Sequence, residues 1–153
     1  MTARRRIIAL ITMAGCLAAP IASGSEARDA SAAEPTPQRI TVLYQNFPNP
    51  FPTPASATTC LWFDLSASTD VTLAVYDLRG HLVRTIVPSP QVQGFLGAGS
   101  YGREVAGTNA GCDPHFSWDG RASDGHAVPP GVYLARLHAD GSWQTRKMVF
   151  RGP

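Results

Sequence analysis

Alternating residue types mark short strands in the middle of the chain. In the stretches 58–65 and 71–76, a set of residues at every second position is aliphatic or aromatic. This set consists of Leu61, Phe63, Leu65, Val71, Leu73 and Val75. Side chains of a strand point alternately to its two faces, so the pattern predicts strands with one face in a core. Residues 77–80, Asp-Leu-Arg-Gly, then predict a turn, and 81–87 predicts the return strand.

The clearest hairpin lies near the C-terminus. Two strand-like stretches, 131–138 and 142–150, flank Asp140-Gly141, a pair that favours a tight two-residue turn. We expect Arg136 and His138 to face solvent. The opposite face, which we expect in the core, consists of Tyr133, Ala135 and Leu137.

The chain after residue 38 favours strands and turns over helices. Prolines at positions 48, 50, 52 and 54 forbid central-strand pairing, so this stretch is predicted to be an extended edge or linker. Residues 88–114 are rich in Gly and Ser and are predicted to be a long loop in which only 100–105 is strand-like. No helical periodicity follows the N-terminal segment. We therefore predict an all-β fold, an Ig-like antiparallel β-sandwich of about seven strands.

Export is predicted by the first 27 residues. Three arginines at positions 4–6 precede an apolar run over 7–19, and small residues follow at 22–27. This is the order of a signal peptide. The run of about 13 residues is shorter than the ~20 that a membrane-spanning helix needs. We therefore predict a signal peptide over 1–27.

The same segment leaves a lipidated alternative open. Met13-Ala14-Gly15-Cys16 is similar to a bacterial lipobox, in which a lipid-bearing cysteine becomes the mature N-terminus. Cys16 is therefore a candidate lipid anchor, and membrane attachment is expected only through it. Beyond the signal, residues 28–38 are too polar and proline-rich to bury a core and are predicted to be a disordered linker. Residues 39–153 are predicted to form the folded domain.

Export would place the remaining cysteines in an oxidising compartment. Cys60 and Cys112 are the only cysteines beyond the signal, and two cysteines can form one disulfide. Two free thiols are the first alternative. A zinc site that uses Cys112 and His115 is a weaker one, because this pair lacks a second pair of ligands.

The charge balance argues against a nucleic-acid partner. Lys and Arg number 13 and Asp and Glu number 11, and charged residues make up only 16% of the chain. No basic stripe is therefore available to bind a run of phosphates. Loss of residues 1–27 would leave ten residues of each sign, so we expect a neutral exported domain.

Motif content argues against catalysis. The chain has no Gly-x-Ser-x-Gly, His-Glu-x-x-His or Gly-x-x-x-x-Gly-Lys sequence. Its four histidines lack paired acids at catalytic spacing; they are His81, His115, His126 and His138. Asp119-Gly120 and Asp124-Gly125 are expected to be turns, because their spacing differs from the alternating ligands of a calcium loop. We expect no enzyme activity, cofactor, metal or small-molecule substrate.

Several ordered motifs together resemble one family. They include Gln45-Asn46-Phe47-Pro48-Asn49-Pro50-Phe51, Val75-Tyr76-Asp77-Leu78-Arg79-Gly80, Trp118-Asp119-Gly120-Arg121, Gly131-Val132-Tyr133 and Arg146-Lys147-Met148-Val149. This set, spread over 41–151, resembles the Ig-like domain shared by the flagellar hook-capping protein FlgD and by C-terminal sorting domains of the type IX secretion system. The matching residues that we expect to be structural are Asn49, Pro50, Phe51, Tyr76, Asp77, Gly80, Trp118, Asp119, Gly120, Gly131 and Tyr133.

The resemblance implies a non-enzymatic module. Sorting domains of this family reach the periplasm on a signal peptide and are recognised at the outer membrane, which implies a secretion-machinery or cell-surface protein as partner. The resemblance would place the protein in the periplasm, on the outer-membrane surface or outside the cell. Arg146 and Lys147 on the last strand are the candidate contact. The alternative, suggested by hook-cap-like proteins, is a standalone structural or adhesive module that joins a partner by strand-edge addition.

Overall fold

Short antiparallel strands form nearly all of the regular structure. The computed structural model describes residues 40–103 and 111–153. Within them lie β1 (Val42–Leu43), β2 (Thr59–Cys60), β3 (Phe63–Leu65), β4 (Thr69–Asp70), β5 (Thr72–Tyr76), β6 (Leu82–Val87), β7 (Phe95–Leu96), β8 (Gly99–Tyr101), a 3-10 turn (Pro114–Phe116), β9 (Ser117–Trp118), β10 (Gly131–Ala139) and β11 (Ser142–Phe150). The expected signal peptide, Cys16, the linker over 28–38 and Arg39 lie outside the described residues.

The largest sheet has four strands in the order β11-β10-β5-β6, and all its neighbours are antiparallel. The predicted hairpin is confirmed as β10 and β11. Its turn residues, Asp140 and Gly141, have φ values of 51° and 68°. A tight two-residue turn needs such positive φ values, which aspartate and glycine tolerate better than most residues.

Three smaller sheets complete the pairing, and the largest of them has the order β1-β3-β8. β2 pairs with β9, and β4 pairs with β7. Phe63 of β3 and Leu73 and Leu137 of the four-stranded sheet share one buried cluster. Two sheets that enclose one core form a sandwich. The described residues, all within the compact unit Pro35–Pro153, thus have the all-β antiparallel architecture expected from the sequence.

The core contains every residue that alternation placed there. Leu61, Phe63, Leu65, Val71, Leu73 and Val75 are at most 3% exposed, and Tyr133, Ala135 and Leu137 at most 7%. An aromatic cluster of Phe51, Trp118, Tyr133 and Phe150 closes one part of this core, with ring centroids 5.0–5.9 Å apart. Aromatic side chains bury large areas, so this cluster is a main source of folding free energy.

The structure divides the chain more finely than the sequence suggested. The alternating stretch 58–65 is two strands, because β2 pairs with β9 whereas β3 lies between β1 and β8. The stretch 88–114 was predicted to be a long loop, yet it contains β7 and β8. These strands are only two and three residues long, and such short pairings leave no periodicity in a sequence. The described residues therefore contain eleven strands, whereas we expected about seven.

Candidate interaction surface

The segment Asn49-Pro50-Phe51, part of the first sequence motif, covers the outer edge of β11 near its C-terminal end. The Asn49 side chain accepts the N–H of Val149 at 2.9 Å and donates to the carbonyl of Lys147 at 3.1 Å. Phe51 continues the pairing, since its N–H donates to the Val149 carbonyl and its own carbonyl accepts from Arg151. The motif thus gives β11 the hydrogen bonds that a further strand would supply.

The second set of motif residues fills the core and shapes its turns. Trp118 is buried and donates its indole N–H to the carbonyl of Arg121 at 2.8 Å. Gly120 lies against the ring of Phe150 with a φ of 74°, and a Cβ atom there would come within 2.3 Å of that ring. Tyr133 is buried and donates its hydroxyl to the carbonyl of Pro129. Burial raises the pKa of the Tyr133 hydroxyl.

The turn after β5 is organised by Asp77. Its carboxylate accepts the backbone N–H groups of Arg79 and His81 at 2.9 and 2.8 Å. The bond from His81 is the main reason that the pKa of Asp77 lies below its usual value. Gly80 completes the turn with a φ of 85°. Asp77 and Gly80 therefore act on backbone conformation, which accounts for their place in the motif.

Three histidines lie closer to acids than the sequence indicated. Nδ1 of His81 is 2.9 Å from Asp77, His115 is 2.9 Å from Asp113, and His126 is 3.3 Å from Asp124. The sequence indicated no paired acids at catalytic spacing, and the structure pairs three of the four histidines with aspartates of their own turns. The physical reason is local, because each pair closes a turn in which the same aspartate also accepts the backbone N–H of the histidine. Asp119 likewise accepts the N–H of Arg121, as a turn residue does.

Cys60 and Cys112 form a disulfide with a Cα–Cα distance of 5.8 Å. Cys60 lies in β2 and is buried. Since the sulfur of Cys112 is bonded to Cys60, it is not a thiolate that could join His115 in binding zinc. Within the described part of the chain, no group of three or more potential metal-binding side chains is present.

An aromatic-arginine face occupies the outer side of the four-stranded sheet; we define it as Tyr76, Arg136, His138 and Trp143. The guanidinium carbon of Arg136 lies 4.6 Å from the centre of the Trp143 ring and 5.2 Å from that of Tyr76. The ring of His138 packs against that of Trp143, with centroids 4.5 Å apart and ring planes tilted by 32°. Trp143 is still 52% exposed. An aromatic surface that is both ordered and open is typical of a binding face.

A second arginine shows the contrasting arrangement. Arg103 lies 4.8 Å from the centre of the Tyr44 ring, and its guanidinium is 4.0 Å from the carboxylate of Asp64. Tyr44 donates its hydroxyl to the same carboxylate, and this bond raises the pKa of Tyr44. The ion pairs of the described residues involve His81, Arg103, His115, Arg121 and His126. In that part of the chain, Arg136 has aromatic neighbours and no carboxylate partner.

The sequence-predicted contact residues lie on opposite sides of β11. Arg146 pairs with Ala135, which points into the core, whereas Lys147 pairs with the outward-facing Leu134. Lys147 therefore shares a side of the sheet with Arg136 and Trp143. The sequence assigned Arg136 and His138 to solvent but did not single out Trp143. Trp143 follows the Asp140-Gly141 turn closely and lies opposite His138 in the hairpin. This position could have assigned it to the same solvent-facing side as His138.

Among the residues that the structure describes, no helix is long and apolar enough to cross a membrane.

No protein-family model matches the chain, and no curated protein matches it. The solved structures that match part of this chain include two from one bacterium. Dimeric latent PorU from Porphyromonas gingivalis is 18% identical over 74% of this chain, with a TM-score of 0.45. PorZ, a surface component of the type IX secretion system of the same bacterium, is 17% identical over 71%, with a TM-score of 0.40. The match spans only 9% and 11% of those two chains, and at these values neither likeness identifies a family or a function.

Proposed function

We propose that this protein is an exported, non-enzymatic module that mediates secretion or cell-surface targeting through protein-protein contact. The aromatic-arginine face carries the proposal. The few residues that carry most of the binding free energy at protein interfaces are enriched in Trp, Tyr and Arg, and this face presents all three side by side. Their mutual stacking holds the side chains in place before binding, which lowers the entropy lost on association.

Two further observations support export. The disulfide between Cys60 and Cys112 is the kind of bond that persists in oxidising compartments. The sequence motifs resemble those of sorting domains, whose known role is secretion. The structural roles of Asn49, Gly80 and Gly120 indicate that these motif residues preserve the fold, so recognition is assigned to the aromatic-arginine face, in which only Tyr76 belongs to a motif.

The partner that we propose presents carboxylates. β5, β10 and β11 contain no Asp or Glu, whereas Arg136 and Lys147 lie on the same side of the sheet as the aromatic rings. Rings cover Arg136, and its remaining N–H groups suit the bidentate geometry of a carboxylate. An acidic segment of a secretion-machinery or cell-surface protein therefore complements the face in charge and in shape.

The test measures in which compartment the full-length protein accumulates. An epitope tag placed within 28–38 would report the protein in the periplasm, on the surface and in the medium of a host with type IX secretion. We expect the wild-type protein to be found outside the periplasm. We expect the variants Arg136→Met and Trp143→Ala to remain in the periplasm. The controls are Arg79→Met and Leu78→Ala. They remove an arginine and an exposed large apolar side chain from the turn between β5 and β6. Thermal unfolding of each variant would check that it is folded.

Two results would contradict the proposal. Retention of the wild-type protein in the periplasm would reject the targeting role. Normal export of both face variants would reject this face as the contact. Binding to an isolated acidic partner should also weaken as salt rises, because a charge pair at an exposed surface is screened.

A second candidate function is strand addition at β6. The sheet order places β6 at the edge of the four-stranded sheet, whereas Asn49 and Phe51 already cover the edge of β11. The Val83 carbonyl of β6 reaches beyond the sheet and accepts the N–H of Ser123. Strand addition at this edge predicts a stable co-purifying partner or self-assembly, with loss of association when a proline replaces Thr85.

A further inference from the structure

A polar pocket lies between β6 and the 3-10 turn, and it includes none of the residues of the aromatic-arginine face. Its volume is about 130 Å³, well above the roughly 15 Å³ that a single water molecule needs. Its polar lining consists of Arg84, Thr85, Ser89, Gln91, His115 and Ser117. The pocket therefore has room for a small polar ligand or for one group of a larger ligand.

Most polar groups of the lining are donors with capacity to spare. The Arg84 guanidinium donates from Nη1 to the Ala122 carbonyl at a long 3.3 Å, and its other N–H groups have no acceptor among the described residues. The Ser89 hydroxyl oxygen accepts from the N–H of Val92 at 3.1 Å, so its own hydrogen is free to donate. Ser117 differs, since its hydroxyl is committed to the carbonyl of Pro114 at 2.8 Å.

The charge of the pocket is positive. Arg84 contributes a fixed cation, and no carboxylate lines the cavity. The nearest acid in sequence is Asp113, and its Oδ1 already accepts the backbone N–H of His115 and contacts its ring Nδ1, both at 2.9 Å. This contact fixes the ring and leaves Nε2 of His115 available to a ligand.

We propose that this pocket binds the tetrahedral oxyanion of phosphate or sulfate, as a free ion or as a monoester. Arg84 supplies the charge, and Ser89, Gln91 and Thr85 supply neutral donors. These donors come from β6 and the turn after it, and His115 faces them from the 3-10 turn. A tetrahedral anion presents oxygens in more than one plane, and so fits donors on several walls better than a planar carboxylate does.

The test is a titration of the full chain with inorganic phosphate, sulfate, glycerol phosphate and acetate, followed by amide chemical shifts and by calorimetry. We expect phosphate or sulfate to shift the amides of Thr85, Ser89 and Ser117 and to bind more tightly than acetate. Tighter binding of glycerol phosphate than of inorganic phosphate would assign the site to a monoester, and the reverse order to the free ion. Acetate binding as tight as phosphate would overturn the tetrahedral assignment.

Variants separate the pocket from general surface charge. Arg84→Gln should weaken phosphate binding about tenfold or more, because a charge-assisted contact is lost. Arg79→Gln removes the same charge from an exposed turn and should leave affinity unchanged. Arg84→Lys keeps the charge and should retain part of the affinity, even if loss of the bond to Ala122 lowers stability. Equal weakening by Arg84→Gln and Arg79→Gln, or no shift in the wild-type protein at millimolar phosphate, would overturn the proposal.

Discussion

Oδ1 of Asn49 accepts the backbone N–H of Val149 across a separation of one hundred residues. The same amide donates to the carbonyl of Lys147. One side chain thereby pairs with two backbone groups of β11, as a neighbouring strand would. An uncovered strand edge favours association with other chains, so this contact protects the hairpin as well as stabilising it.

Removal of the Asn49 amide should destabilise the protein. We expect Asn49→Ala to lower the free energy of unfolding by about 1–3 kcal/mol, because the Val149 N–H loses its acceptor and the Lys147 carbonyl keeps only the bond from Gln45. Asn49→Asp keeps the acceptor for Val149 and loses the donor to Lys147, so its cost should be intermediate at low salt. Chemical denaturation measures both, and light scattering should detect more self-association in Asn49→Ala. Gln45→Ala, which removes one exposed bond to the same carbonyl, is the control with a smaller effect.

Gly120 should tolerate no side chain. A Cβ atom would lie 2.3 Å from Cζ of Phe150, and the φ of 74° disfavours other residues. We expect Gly120→Ala to cost about 3 kcal/mol, from overpacking and backbone strain together. Gly125→Ala is the matched control, because its φ is 86° and nothing lies within 4 Å of its Cβ position. The control should show backbone strain alone, about 1–2 kcal/mol; equal losses in the two variants would refute the packing explanation.

Loss of the disulfide should weaken the fold substantially. The bond joins residues separated by 52 positions, and on the chain-entropy model a loop of this length contributes about 4 kcal/mol. We expect the double variant Cys60→Ala with Cys112→Ala to unfold at lower denaturant concentration by this amount. A reducing agent should shift the wild-type midpoint and leave that of the double variant unchanged. Two titratable thiols in the untreated native protein would contradict the bond.

Asp140 should contribute an acid-dependent part of the stability. Its carboxylate accepts hydrogen bonds from the hydroxyls of Thr41 and Ser66, and the bond from Thr41 is the main reason that its pKa lies below the usual value. A group with a lowered native pKa stabilises the fold above its unfolded pKa, near 4, and loses that effect as pH falls through the native pKa. We expect the stability difference between wild type and Asp140→Asn to be present at pH 7 and to shrink as the pH falls below about 4. Asparagine also tolerates the positive φ of this turn, so a difference that is independent of pH would argue against the carboxylate.

The sequence by itself determined the local elements of this protein. Alternation identified the core residues of β3, β5 and β10, and Asp140-Gly141 located the hairpin. These features depend on residues a few positions apart, and such spacing leaves a period in the sequence. The same local logic missed the pairs of Asp77 with His81 and Asp124 with His126, which depend on turn geometry and not on a period.

Only the tertiary structure decided which distant residues meet. Asn49 reaches β11, Arg136 lies close to both Tyr76 and Trp143, and Arg84 and His115 line one pocket. Strand order and register bring these residues together. Periodicity assigns a residue to a face of its own strand and says nothing about which strand becomes its neighbour. That choice depends on the free energy of the whole packed core. The candidate surfaces of this protein could therefore be identified only from the tertiary structure. The core residues of its main strands could already be predicted from the sequence.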